Sequence, residues 1–282
     1  MGQVQETDLT QTRLVKSSSW WRVLLTGFLF YFATLVALVL TKNPILFPTV
    51  VMIGSFMIPV TYVAFFYDRR HLSRLTIPTI AQGFIYGGVF GVMAASLLEP
   101  LFIRRLDFAT AFIVGLIEEF VKILGILVLA RRMPHDAEMD GLLLGVAAGM
   151  GFAALESNGY AFAAFLRSQG SLSVTVFVTL LRGILSPIGH GTWTAILTSV
   201  LFRESRAGHF RFNSKVIGAY LTVSILHGLW DGLPGAVTAL FGPGLDLFAG
   251  QTTLGLIGFF ILWRRWREAK RLQMETLVIT ES

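Results

Sequence analysis

Eight apolar stretches, at 22–40, 45–67, 76–98, 108–130, 140–166, 172–202, 215–234 and 247–266, occupy most of this chain. A bilayer core of roughly 30 Å demands about 20 consecutive, mainly apolar residues per helix, and each stretch meets or approaches that length. The clustering predicts an all-α, polytopic membrane bundle of about eight transmembrane helices. Composition agrees, because 54% of the residues are hydrophobic and only 14% are charged, too apolar for one or two soluble domains. The connecting loops are too short to house a catalytic domain, so any chemistry has to use the bundle. The expected organisation is a polar cytoplasmic segment at 1–21, a catalytic bundle at 22–266 and a cytoplasmic tail at 267–282. No basic–apolar–small cleavage pattern ends the first apolar run, which predicts a retained helix rather than a cleaved signal.

The formal charge is +6, which in a soluble protein would raise the question of nucleic acid; here the basic residues report topology instead. One alternating set of loops and ends carries Arg13, Lys16, Arg22, Arg69, Arg70, Arg74, Arg131, Arg132, Arg203, Arg206, Arg211, Lys215 and the 264–271 run. The other set carries only Lys42, Arg104, Arg105 and Arg167. By the positive-inside rule both termini are expected in the cytoplasm. The 264–271 run, with Trp263 and Trp266, reads as an interfacial anchor on the lipid bilayer. Cysteine is absent, which removes a thiolate nucleophile and a cysteine zinc site. Small residues recur at four-residue spacing at Gly141, Gly145, Gly149 and Ala153, and at Gly87 and Gly91, a pattern that lets membrane helices approach closely.

Ionisable residues inside the apolar runs are the informative set, since each costs on the order of 3 kcal/mol at the bilayer centre on insertion scales. They are Glu118, Glu119, Lys122, Glu156, Arg182, Asp231, His190 and His227; the other histidines, His71, His135 and His209, fall in loops. Residues three or four apart share a helix face. Lys122 can therefore reach both Glu118 and Glu119, and Asp231 can orient His227. One lysine balances one glutamate, so at least one acid needs another purpose. With about 1.5 Å of rise per residue, Glu119, Glu156 and His227 are expected at one level. His190 reaches that level only if its long span kinks or breaks near Ser186-Pro187.

Hydrolysis within a membrane needs admitted water, a base, an acid for the leaving amine and a stabiliser for the oxyanion. Glu119 or its neighbour Glu118 is the candidate base, with Glu156 sharing the water or binding a metal, and His190 and His227 stabilising the intermediate or ligating. Arg182 is expected to be a structural counter-ion. A His-Glu-x-x-His helix is missing, and a single intramembrane aspartate forbids an aspartyl dyad within one chain. A Ser186–His190 pair is conceivable, but no Gly-x-Ser-x-Gly elbow supports it. Buried Glu, His and Lys also build proton relays and ion sites, so a transporter is one rival reading, and a catalytically silent scaffold is another.

Glu118-Glu119-Phe120-Val121-Lys122 resembles the Glu-Glu-x-x-Lys motif of PrsW proteases, and Phe152-Ala-Ala-Leu-Glu156 resembles their Phe-x-x-x-Glu-Asn motif. His190-Gly-Thr-Trp193 and His227-Gly-Leu-Trp230-Asp231 resemble the two later histidine motifs, in the same order on successive helices. Ser157 stands where the family has Asn, and Asn158 lies one position later. The resemblance covers roughly residues 45–235. It implies an intramembrane peptidase distantly related to CAAX prenyl and bacteriocin-processing proteases, acting on a single-pass, anti-sigma-factor-like substrate in a bacterial cytoplasmic membrane. It also implies catalytic roles for Glu118, Glu119, Glu156, His190 and His227, supported by Lys122, Asp231, Asn158 and Arg182. A zinc or other divalent metal on Glu119, Glu156, His190 and His227 and a metal-free, glutamate-activated water both suit those groups.

Overall fold

The computed structural model describes residues 19–70, 73–131, 133, 137–206, 208–241 and 250–281. The loop histidines His71 and His135, the basic residues Arg13, Lys16 and Arg132, and residues 242–246 of the expected 235–246 loop lie outside the described residues, while 235–241 continue α9. Everything described is helix or connection, and the single β feature is an isolated bridge between Arg206 and His209. The helices are α1 (Trp20–Thr41), α2 (Leu46–Tyr67), α3 (Ile77–Ile85), α4 (Gly91–Phe102), α5 (Phe108–Ala130), α6 (Glu138–Arg167), α7 (Leu172–Leu185), α8 (His190–Glu204), α9 (Ser214–Phe241) and α10 (Thr252–Glu281).

Among the described residues, six helical stretches are long and apolar enough to cross a membrane: α1, α2, the joined α3–α4, α6, the joined α7–α8 and most of α9. The remaining two apolar runs differ from the sequence expectation for a physical reason. Glu118, Glu119 and Lys122 interrupt α5, and Arg264, Arg265, Arg267 and Glu268 interrupt α10. Burial is arranged as in a membrane bundle. The central α6 is buried over nearly all of its 138–154 stretch, with Leu142, Leu144, Val146 and Met150 at 0% exposure, while Phe30, Leu40, Leu97, Phe177 and Phe259 stay exposed on the outer helices. A large outward apolar surface is costly in water and matched in lipid.

The small-residue pattern of α6 is where α8 lies. A Cβ at Gly145 would collide with Thr198 Oγ1 and sit 2.6 Å from Ala195 Cα, and one at Gly141 would sit 2.6 Å from Phe202 Cβ. A Cβ at Gly149 would lie 2.8 Å from the carbonyl carbon of His190. Van der Waals contact at such range is the main attraction available between helices in lipid. On the opposite side, Gly87 meets Ala148 through a five-residue π-helical turn, Tyr86–Phe90, that joins α3 to α4. Such turns insert a residue into the helix and re-aim the side chains beyond it.

Two local features set the depth of the ionisable groups. Asp107 caps α5: its carboxylate accepts from the Thr110 N–H at 2.9 Å, and its own N–H donates to Thr110 Oγ1 at 2.8 Å. This reciprocal box fixes where α5 begins, and Glu118, eleven positions on, lies about 16 Å along the axis. Between α7 and α8 the helix breaks at Ser186–Ile188, a short 3-10 turn. Pro187 has no N–H to donate, and its ring opposes the carbonyl four residues back. Ser186 Oγ donates to Gly183 O at 3.0 Å and Thr192 Oγ1 to Pro187 O at 2.7 Å, which satisfies carbonyls freed by the break. His190 consequently becomes the first residue of α8.

One end of the bundle is tied together by polar contacts. The Ser19 hydroxyl donates to Asp68 at 2.8 Å, the Ser73 hydroxyl donates to Asp140, and Arg203 pairs with Glu268 at 2.7 Å. Arg265 bridges Glu138 and Glu268. The α1 start, the α2–α3 connection, the α6 start, the α8 end and the basic part of α10 therefore share one side, the side given to the basic loops by the sequence.

Candidate active site

The four motif-bearing helices α5, α6, α8 and α9 bring their polar groups to one place. Lys122 is its hub and is fully buried: Nζ lies 3.1 Å from Glu118 Oε2, 2.8 Å from Glu119 Oε1 and 2.9 Å from His190 Nδ1. Its ammonium also sits 4.1 Å from the centre of the Phe152 ring, within cation–π range. A buried lysine is tolerated only with such partners, because an unpaired ion in a low-dielectric interior costs several kcal/mol.

The adjacent glutamates divide in environment, as their roughly 100° separation around the helix requires. Glu119 is 0% exposed and both of its oxygens are engaged. Oε1 lies 3.0 Å from His227 Nδ1, and Oε2 accepts from Thr194 Oγ1 at 3.1 Å. Glu118 instead faces a cavity. Its Oε2 is 3.5 Å from His227 Nε2 and 3.8 Å from His190 Nδ1.

The histidines are held from both ring nitrogens. His227 Nε2 lies 3.3 Å from Asp231 Oδ2, one turn along α9, and His190 Nε2 lies 3.0 Å from Glu156 Oε2. The two rings cross edge to face at 5.0 Å, and Trp193 lies against His227 at 4.7 Å. The repeated His-Gly-x-Trp sequences thus face one another, with Trp193 and Trp230 in edge contact at 5.5 Å. No Ser–His pair forms, since both His190 nitrogens are occupied and Ser186 donates to its own helix.

Arg182 pairs with Glu156 at 2.7 Å and stacks on Tyr160 at 3.9 Å. Its Nε donates to Ser157 Oγ at 3.3 Å. The residue at the departure from the motif therefore takes up a polar contact itself, while half-buried Asn158 is not among the residues that line the cavities.

A cavity of about 480 Å³ opens beside this cluster, lined by Glu99, Glu118, Glu156, Arg182, Asp231 and Gln251 among others. A smaller one of about 150 Å³ continues past Arg182, Gln251 and His190 to Ser186 and Gly189 at the helix break. Gln251 Oε1 is buried at their shared wall with no protein partner among the described residues. Buried polar atoms are rarely left without a partner, and water is the usual one.

Glu118, His190 and His227 each offer a ligand atom, and these atoms lie within 4.8 Å of one another. One carboxylate and two imidazoles are a zinc donor set, so the residues fit the group in type and reach. The set shares His190 and His227 with the sequence expectation of Glu119, Glu156, His190 and His227, and has Glu118 in place of the other two glutamates.

Two neighbours were not legible as site residues. Glu99 reads as the start of a polar loop, yet α4 continues through it to Phe102 and places it on the cavity wall. Thr194 carries no signal of its own beyond standing four residues after His190 on the same face of α8.

The sequence profile of a family described as PrsW family intramembrane metalloprotease matches residues 76–264, the stretch that contains α5, α6, α8 and α9. A relative named Protease PrsW, from Halalkalibacterium halodurans, is 26% identical over 177 residues, which cover 61% of this chain and 77% of that protein. No solved structure matches the chain. With its six apolar membrane-length stretches and its four motifs converging in the bundle, this integral, multi-pass membrane chain belongs to the PrsW protease family.

Proposed function

We infer that the chain hydrolyses a peptide bond of a single-pass membrane protein at the cavity beside Glu118, inside a bundle of eight membrane helices with both termini in the cytoplasm of a bacterial cell. The observation that carries this reading is the carboxylate of Glu118, flanked by two histidines and facing a 480 Å³ polar cavity about midway along α5. The resemblance adds an anti-sigma-factor-like protein as the kind of substrate.

In this reading Glu118 takes a proton from a water in the cavity as the water oxygen bonds to the scissile carbonyl carbon. The same proton then passes to the leaving nitrogen as the C–N bond breaks. His190 and His227 flank the carbon undergoing attack and stabilise the oxyanion. Lys122 and Glu119 hold Glu118 and His227 in place from behind, and Glu156 with Arg182 holds His190 from the cavity side. Glu118, His190 and His227 would hold a divalent metal such as zinc, which supplies Lewis-acid polarisation and a more acidic water when bound.

The test is cleavage of a labelled single-pass substrate by the full chain in proteoliposomes, with Glu118→Gln and Glu156→Gln variants alongside. Loss of cleavage by both variants, with folding retained, supports the reading; full cleavage by both would overturn it. Proton flux without cleavage would favour the transport alternative, and a chelator in the same assay separates the metal-bound from the metal-free route.

A further inference from the structure

Away from the active site, the basic end of α10 carries a groove of about 560 Å³ lined by Phe260, Trp263, Arg264, Arg267, Glu268 and Arg271. Trp263 also lines a second, apolar cleft of about 350 Å³ between α2 and α10, with Tyr62, Phe66, Phe259, Leu262 and Trp266 among its walls. We propose that groove and cleft together form one binding site for an anionic phospholipid, its phosphate on Arg264 and Arg267 and an acyl chain in the aromatic cleft.

Three observations point to that occupant. The charges of the groove are uncompensated where they matter: Glu268 is already held at 2.7 Å by both Arg203 and Arg265. Among the described residues no carboxylate pairs with Arg264 or Arg267, whereas Arg271 has Glu275 at 3.5 Å. Arg264, Arg267 and Arg271 fall on one helical stripe, and two guanidinium planes suit the oxygens of a phosphate.

The cleft is apolar apart from Tyr62 and Arg69, and Arg69 turns its guanidinium onto the Phe65 ring at 3.6 Å. A peptide would bring backbone polar groups into such walls without partners, whereas an acyl chain brings none. The two compartments join at Trp263, which is 44% exposed and carries the Arg267 guanidinium 4.8 Å from its ring centre. The boundary between headgroup and hydrocarbon is where tryptophan and arginine collect in membrane proteins. All of this lies at the bundle end that gathers the basic loops, where anionic lipid of the inner leaflet would be met.

The experiment titrates the full chain, purified in a neutral detergent, with phosphatidylglycerol or phosphatidylcholine and counts retained lipid by native mass spectrometry. The account expects one phosphatidylglycerol held in preference to phosphatidylcholine. Affinity should fall about 25-fold in Arg264→Gln/Arg267→Gln, from roughly five-fold per basic residue at an anionic surface. Arg264→Lys/Arg267→Lys, which keeps the charge but not the planar forks, should fall between the parent chain and the double glutamine variant, and Phe259→Ala should weaken binding of long-chain but not short-chain phosphatidylglycerol. Equal retention of the two lipids, or an unchanged affinity in the double glutamine variant, would overturn the proposal. So would competition by inorganic phosphate at the same concentration, which would make the groove a simple anion site.

Discussion

Replacing Lys122 by methionine tests the electrostatic account of the site most severely. The side chain is fully buried, and its ammonium is within 3.1 Å of two carboxylate oxygens and 2.9 Å from His190 Nδ1. Methionine keeps most of the volume, so the change isolates the charge. Removing one partner of a buried ion pair costs about 3–5 kcal/mol, because the other charge is left without compensation. That is a large share of a net stability of about 5–15 kcal/mol. Arg182→Met should cost much less, about 1 kcal/mol or under, since its pair with Glu156 is partly solvated at 27% and 18% exposure. The assay is reversible unfolding of the purified chain in mixed micelles, with the double variant Lys122→Met/Glu119→Gln completing a thermodynamic cycle. The double variant should recover at least about 2 kcal/mol of the loss, because it removes one of the two orphaned charges. A Lys122→Met loss under about 1 kcal/mol, or strict additivity in the cycle, would refute the idea that Lys122 neutralises the paired glutamates.

Other outcomes rest on single contacts. Gly145→Ala should destabilise by at least about 1–3 kcal/mol by driving α8 off α6, while Gly159→Ala, which meets nothing within 4 Å, should be neutral or stabilising by up to about 1 kcal/mol; thermal unfolding of the two compares them directly. Thr194→Val should cost about 1.5–3 kcal/mol by removing the hydroxyl that donates to Glu119 Oε2, with a matching drop in cleavage. The Asp107 carboxyl titrates below its usual range because it accepts from the Thr110 backbone N–H and hydroxyl. Its charged form is favoured in the fold, so its contribution is present above the ordinary aspartate value and disappears as pH falls through the depressed one. The unfolding midpoint of the parent chain relative to Asp107→Asn should therefore drop across that acidic window and stay flat at neutral pH.

Much of the bundle was legible because lipid imposes length and apolarity on each span, and the intramembrane charges stand out against that background. The break at Ser186-Pro187 was legible too, since proline forces it, and the break is what brings His190 level with Glu119 and His227. The difference in surroundings between Glu118 and Glu119 was not. It depends on a neighbour, Thr194, whose hydroxyl looks in sequence like any other, and on which face of α5 the cavity opens. Glu99 was hidden for a different reason: Glu99-Pro100 reads as a helix end, but a proline inside a membrane helix is tolerated, and α4 runs two residues past Pro100 to Phe102. The eight-helix expectation met its limit at α5 and α10, where Glu118, Glu119 and Lys122 and the charges at 264–268 lower the apolarity that marks a span.

The central claim is that Glu118, and not Glu119, meets the reacting water. The most direct measurement is single-turnover cleavage in proteoliposomes by Glu118→Gln and Glu119→Gln, each brought to equal folded fraction by its own unfolding curve. The account gives a fall of about 10²–10⁴-fold in the chemical step for Glu118→Gln with substrate binding unchanged, and a smaller fall for Glu119→Gln that tracks its loss of stability. Normal turnover by Glu118→Gln, with Glu119→Gln inactive though folded, would contradict it.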